Sequence, residues 1–252
     1  MRFSKLLKFV FILLLTAGFK PVWAGDLTEL EYITESYPPY NFKEGNQLQG
    51  IAVDVLVAAT AAEGDPLSVA SIRMLPWPRA YLRAQKEDGV VLFSTTRTEQ
   101  REPLFQWVGP IAATRVVLMA RKADNIVISS VDDISHYTVG AILDDIGEQL
   151  LKSAGVAESS IKIIPSADAL AKMLGAGRIQ LWAYEENVAR WYIKQSKLEN
   201  TQFEVVHVLK ESDLYYTLNN NIPAATVQRL QDGVDKILND KAAYQKILDR
   251  YL

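Results

Sequence analysis

The chain of 252 residues has no cysteine and only two histidines, His136 and His207, which stand far apart. Without cysteine it is neither a disulfide scaffold nor a lipid-anchored protein. No spacing of His, Asp or Glu suggests a metal site, and neither a Ser–His–Asp constellation nor a glycine-rich phosphate loop stands out, so no cofactor is expected. There is no internal repeat, no low-complexity segment and no linker rich in glycine, serine or proline, so any division into lobes must use short crossovers. Only one run is strongly apolar, Phe9 to Leu15, and it is too short to span a bilayer.

That run follows a basic start, Met1-Arg2-Phe3-Ser4-Lys5-Leu6-Leu7-Lys8, and precedes Val22-Trp23-Ala24, which puts small residues at the two positions a signal peptidase reads. Residues 1–24 therefore read as a secretory signal peptide, and the exported form begins at Gly25. Removing Arg2, Lys5, Lys8 and Lys20, with no acid in the segment, takes the net charge from −3 to −7. Such a balance argues against nucleic acid or an anionic membrane surface as partner. The remaining 228 residues suffice for one large domain or for two lobes of about a hundred residues each.

Leu30 to Thr34 alternates as a strand and enters Glu35-Ser36-Tyr37-Pro38-Pro39-Tyr40-Asn41-Phe42, whose prolines forbid helix and leave three aromatics on one extended loop. Ile51 to Ala62 carries apolar residues at helical spacing; Val69 to Met74 reads as a strand, Pro78 to Gln85 as a helix and Gly89 to Phe93 as a buried strand. Phe105 to Val108 and Thr114 to Ala120 are extended. The alternation then begins afresh: strands at Tyr137 to Leu143, Ile161 to Ile164 and Ile179 to Tyr184, with helices at Gly147 to Ser153 and Ala167 to Ala176. The first of those helices is opened by Asp144-Asp145 and the second is capped by Ser166. Phe203 to Leu209 is extended again, and helices at Pro223 to Leu238 and Ala242 to Tyr251 finish the chain. Strands alternating with helices imply βαβ units and largely parallel sheets, in which ligands sit beyond the strands' carboxyl ends. The aromatic loop, the Pro76-Trp77-Pro78 turn and the stretch Thr95 to Gly109 all lie at such ends.

That last stretch, Thr95-Thr96-Arg97-Thr98-Glu99-Gln100-Arg101-Glu102-Pro103-Leu104-Phe105-Gln106-Trp107-Val108-Gly109, brings two guanidinium groups together with hydroxyl and amide side chains. An arginine fork matches a carboxylate bidentately, so the loop suits an anion; a solvated turn with ion pairs to Glu99 and Glu102 is the competing reading. Thr-x-Thr-x-x-Arg followed by an aromatic-rich strand and Gly-Pro resembles the ligand-carboxylate loop of the periplasmic solute-binding proteins of the polar amino-acid family. Tyr37 to Phe42 is similar to that family's first cleft loop, Gly50-Ile51-Ala52-Val53-Asp54 to its Gly-Phe-x-x-Asp helix start, and Asp232-Gly233 to Tyr251 to its terminal helices.

The resemblance covers nearly all of the mature chain and implies an α/β fold of two lobes, the type II periplasmic-binding-protein fold, with a ligand cleft between them. Lobe one would be residues 25–111 plus 212–252, and lobe two, inserted, residues 112–211. By the same resemblance Arg101 holds the solute's carboxylate with Thr96 as helper, on an exposed loop where it adds little to packing. Tyr37 and Trp77 wall the solute's side chain, or equally pack against the lobe. Arg97 and, more weakly, Arg79 are further cations; Arg97 is as readily an exposed partner of Glu99. Where the family puts an aspartate for the ligand's amino group, this chain has Glu185, one methylene longer. Asp144 and Asp145 either reach ligand or cap their helix.

These residues point to a monomeric periplasmic protein that captures a small zwitterionic solute, an amino acid or close derivative, by lobe closure and delivers it to the membrane permease of an ABC-type importer. Two other classes compete. A cyclohexadienyl-type dehydratase shares the fold and would use Glu185 as a general acid, against which stands the expectation that paired arginines in the cleft lower its pKa. A ligand-sensing module would normally be joined to a membrane-spanning signalling segment.

Overall fold

The computed structural model describes residues 25–251, so the signal-peptide reading lies outside the described residues. In chain order the elements are β1 (Glu31–Thr34), the hairpin β2 (Phe42–Glu44) and β3 (Gln47–Gln49), α1 (Ile51–Ala62), β4 (Arg73–Met74), α2 (Trp77–Lys86), β5 (Val90–Thr96) and β6 (Gln106–Arg121). They continue with α3 (Val131–Ile134), β7 (Val139–Ala141), α4 (Ile146–Ser153), β8 (Ile161–Ile163), α5 (Ala167–Gly175), β9 (Leu181–Glu185), α6 (Glu186–Gln195), β10 (Phe203–Leu218), α7 (Ala224–Asn239) and α8 (Lys241–Tyr251). No helix among the described residues is long and apolar enough to cross a membrane.

Eight of the strands form one sheet in the order β4-β1-β5-β10-β6-β9-β7-β8, and β2 and β3 form a separate two-stranded sheet. β4, β1 and β5 are parallel, as are β8, β7 and β9, which fits the expected βαβ units. The middle is antiparallel: β10 pairs with β5 and β6, and β6 with β9. The first lobe is the β4-β1-β5 block with α1, α2, α7 and α8; the second is the β9-β7-β8 block with α3 to α6. β6 and β10, 16 residues each, run through both.

Three local expectations are corrected. Phe105 to Val108 and Thr114 to Ala120 are one strand, because Gly109-Pro110-Ile111 lies opposite a bulge where the register moves from Leu214↔Ala112 to Tyr216↔Val108. A bulge is where a proline is tolerated inside a sheet. β10 runs past Leu209 to Leu218, its register shifts hiding any simple alternation. Residues 186–195, for which the sequence suggested no element, form α6, because the Glu185 side chain caps it by accepting from the Val188 N–H. Val69–Ser71 is a short helical turn capped by Ser68, so only Arg73 and Met74 are strand.

α1 is apolar around most of its circumference, and Ile51, Ala52, Val53, Val55, Leu56 and Ala59 are all buried. It packs on α7 and α8, which ties the C-terminal helices to the first lobe. Gly50 fixes the aromatic loop to this helix. With φ at +131°, it lets the Tyr40 carbonyl approach so closely that a Cβ would stand 2.3 Å from that oxygen. The Ile51 and Ala52 N–H groups then donate to the Pro39 and Tyr40 carbonyls at 3.1 and 2.8 Å, satisfying orphan donors at the helix start.

Candidate functional site

Where the carboxyl ends of β1 and β5 face α4, the two lobes meet around Arg101. A turn after β5, closed by Arg101 N–H to the Thr98 carbonyl at 3.0 Å, directs the side chain inward. It is not the exposed loop arginine expected: the residue is 1% exposed. Its guanidinium carbon lies 5.2 and 5.1 Å from the Trp77 and Tyr81 ring centroids, which themselves stack at 5.2 Å. The Nε donates to Gln149 Oε1 at 3.0 Å, and the two terminal nitrogens to the Thr96 and Asp144 carbonyls, each at 3.3 Å. Every one of these acceptors is neutral. Thr96 thus reaches Arg101 through its backbone.

The Trp77 indole N–H donates to the Asp144 carbonyl at 2.9 Å, a second bond between the lobes. Asp144 itself sits in the left-handed region, φ +58°, a conformation Asp tolerates; its carbonyl faces the cleft and the residue is exposed. Tyr37 is buried, 5.8 Å from Tyr40 and edge-on to Tyr184 of the second lobe at 5.6 Å. Tyr184 in turn stacks on Trp182 at 5.2 Å. Tyr37 therefore packs between the lobes, while Trp77 packs on Tyr81 and also lines a cavity there.

Three acids are enclosed here. Glu185, at the end of β9, is 0% exposed. Its Oε2 accepts from the Val188 N–H at 2.8 Å, and its Oε1 from the Tyr40 hydroxyl at 3.2 Å and the Asn187 amide at 3.5 Å. Burial outweighs these bonds and pushes its carboxyl up to about 7. The expectation that cleft arginines would lower it fails because Arg97 is elsewhere and desolvation dominates. Asp145 caps α4, accepting from the Gly147 N–H at 3.3 Å; burial raises its carboxyl, opposed by Arg101. Glu35 directly follows β1, and burial with the Asp145 charge raises its carboxyl well above its ordinary value, again against Arg101.

Two cations named from the sequence stand apart from this group. Arg97 pairs bidentately with Glu102 at 2.8 and 2.6 Å and lies over the Trp107 and Tyr215 rings at 5.4 and 5.3 Å; its partner is not Glu99. Arg79 is exposed on α2 and forms no ion pair with a described residue. Conversely, Glu35, Tyr40, Tyr81, Gln149 and Tyr184 were not singled out. For Glu35 a signal existed: it stands at a strand's carboxyl end, two residues before Tyr37. A cavity of about 320 Å³, lined by Glu35, Leu75, Trp77, Ile142, Tyr184 and Tyr192 among others, opens beside the cluster. No group of three or more His, Cys, Asp or Glu among the described residues is arranged to hold a metal.

No curated protein matches the sequence. Among solved structures, a histidine kinase sensor domain with similarity to periplasmic binding proteins superposes with a TM-score of 0.78 at 19% identity, covering 90% of this chain and 98% of that one. A substrate-binding protein of an ABC uptake transporter from Streptococcus pneumoniae, with bound histidine, gives 0.77 at 15% identity over 91% and 95%. An ancestral arginine-binding protein bound to arginine gives 0.73 at 20% identity over 90% and 99%. At these identities the likeness is one of fold. Residues 32–252 match the bacterial extracellular solute-binding proteins, family 3, and the chain belongs to that family.

Proposed function

We propose that the protein captures a small zwitterionic solute, an amino acid or close derivative, in the periplasm and delivers it to the permease of an ABC-type importer. The observation that carries the reading is Arg101, a guanidinium buried between the lobes whose hydrogen-bond partners are all neutral. A buried cation in that setting is stabilised by an anion presented bidentately, and a solute carboxylate supplies one. Glu185, from the other lobe, suits the solute's ammonium group, with Thr96, Tyr37, Trp77 and Asp145 around it. Arg97 and Arg79 serve the surface. The two solved relatives whose descriptions name arginine and histidine as ligands support an amino acid as the class. We place the lobe boundaries at residues 25–111 plus 212–252 and 112–211, where β6 and β10 pass from one block to the other, and expect a monomer.

A thermal-shift screen of the protein beginning at Gly25 against amino acids, polyamines and small carboxylates tests this. Solute at a hundred times its dissociation constant adds about 2.7 kcal/mol of stability, and no shift with any α-amino acid would sink the reading. The same Gly25 start should be the mass found for periplasmic protein. One observation favours a dehydratase: Glu185 at about 7 has the pKa of a general acid. Membership of a binding-protein family weighs against it, and incubation with prephenate or arogenate should give no product.

A further inference from the structure

The edge of the Arg101 fork that a carboxylate would take is filled by the protein itself. Nε and the terminal nitrogen on the same side are a pair that meets two carboxylate oxygens in a bidentate contact. Here Nε donates to Gln149 Oε1 at 3.0 Å, and that terminal nitrogen, Nη2, to the Asp144 carbonyl at 3.3 Å. Both acceptors come from the second lobe. The Gln149 side chain also ties them together, because its Nε2 donates to the same Asp144 carbonyl at 3.0 Å. One primary amide therefore meets the guanidinium with its oxygen and braces the Asp144 carbonyl with its nitrogen. Arg101 is left 1% exposed, closed to an entering carboxylate.

Gln149 is placed for this by α4. Its backbone N–H donates to the Asp145 carbonyl at 3.0 Å, and one turn on, Ser153 accepts from the Gln100 amide of the first lobe at 2.9 Å. The helix is thus pinned beside the Arg101 turn, while Gln149 is only half-buried. An amide oxygen brings no charge to the cation, so a carboxylate at the same edge is the stronger partner. A solute amide offers only what Gln149 already supplies. We propose, resting on the reading of Arg101 as the carboxylate holder, that Gln149 is an internal competitor for the solute. Its amide holds the lobes together over Arg101 in the empty protein, is displaced by the solute's carboxylate, and so sets the affinity and confines binding to solutes that carry one. An empty form closed in this way lowers the apparent affinity by the fraction of molecules that are open. Removing Gln149 raises that fraction and tightens binding, the opposite of what removing an ordinary pocket residue does.

Q149A deletes the competitor and Q149E puts a carboxylate in its place; both substitutes are good helix formers, so α4 is kept. Small-angle scattering at pH 7 should show solute-free Q149A with a larger radius of gyration than wild type, and Q149E as compact as wild type. In titration calorimetry at the same pH against the standard α-amino acids, Q149A should bind the best of them about tenfold more tightly than wild type, the factor of one hydrogen bond to a charged group. Q149E should bind it more weakly than wild type. A solute-free radius unchanged in Q149A, Q149A binding no more tightly than wild type, or Q149E binding as well as wild type overturns the competitor role and leaves the amino-acid reading standing. If neither wild type nor either variant binds any α-amino acid, both fall together.

Discussion

The Tyr40 hydroxyl donates to the Glu185 carboxylate at 3.2 Å, and the two residues belong to different lobes. The bond places the acid expected to receive an ammonium group in contact with the aromatic loop of the opposite wall. Glu185→Gln keeps the volume and the hydrogen-bonding capacity but removes the charge. It should weaken amino-bearing solutes by about 1.5–3 kcal/mol, the range for a charge-assisted bond. Calorimetry showing undiminished binding by this variant would take Glu185 out of the site.

Closure should depend on pH. Burial between the lobes raises Glu185 from an ordinary 4.5 to about 7, so the closed form binds its proton more tightly than a form in which water reaches it. The resulting preference for closure is fully present below about 4.5 and is lost as pH rises through about 7. Glu35 and Asp145, also raised by burial, act in the same direction. The radius of gyration of solute-free protein, from small-angle scattering, should therefore be smaller at pH 5 than at pH 8. Glu185→Gln should reduce the difference, and a radius indifferent to pH in the wild type would contradict the argument.

The arginines should separate cleanly. Arg101→Ala removes the anion partner and, with it, the bonds to Gln149 and the Asp144 carbonyl that join the lobes. Solute binding should be lost, by several kcal/mol, and the solute-free protein should also open. Arg97→Ala breaks an exposed pair with Glu102 and should change stability by at most about 1 kcal/mol, with affinity unaltered. The reverse order in calorimetry would show that the wrong arginine had been assigned to the carboxylate.

Much of this site was legible because its loops are punctuated by proline at strand ends: Tyr37 before Pro38-Pro39, and Trp77 between Pro76 and Pro78. What was hidden depends on long-range placement. Which of Arg97 and Arg101 turns inward is set by the turn from Thr98, and nothing in their spacing says so. Gln149 and Tyr184 become neighbours of Arg101 and Tyr37 only when the second lobe folds over the first. The continuity of β6 was masked because Gly109-Pro110 breaks the alternation, while the bulge that accommodates it belongs to the pairing with β10.

Gly50→Ala should destabilise the first lobe. Its Cβ would collide with the Tyr40 carbonyl, and the backbone conformation at this position is strained for any L side chain. A loss of about 1–3 kcal/mol is expected, read as a lowered denaturation midpoint. Because the Tyr40 loop would shift with it, solute affinity should fall as well. An unchanged midpoint would mean that the loop can retreat from α1 without penalty.

The ladder between β6 and β10 sets Thr114 opposite Ser212 and Ala113 opposite Asp213. On the lobe boundaries proposed above, the chain would enter the second lobe and leave it on neighbouring rungs, about 5 Å apart across the strand pair. An insertion whose two ends are adjacent behaves as an exchangeable cassette: it can be cut at two facing backbone positions and replaced by its counterpart from a relative without a linker. Half of the pocket, the half bearing Asp145 and Glu185, would change while Arg101 and Glu35 stay in place. Solute preference in such a fold can be recombined one wall at a time.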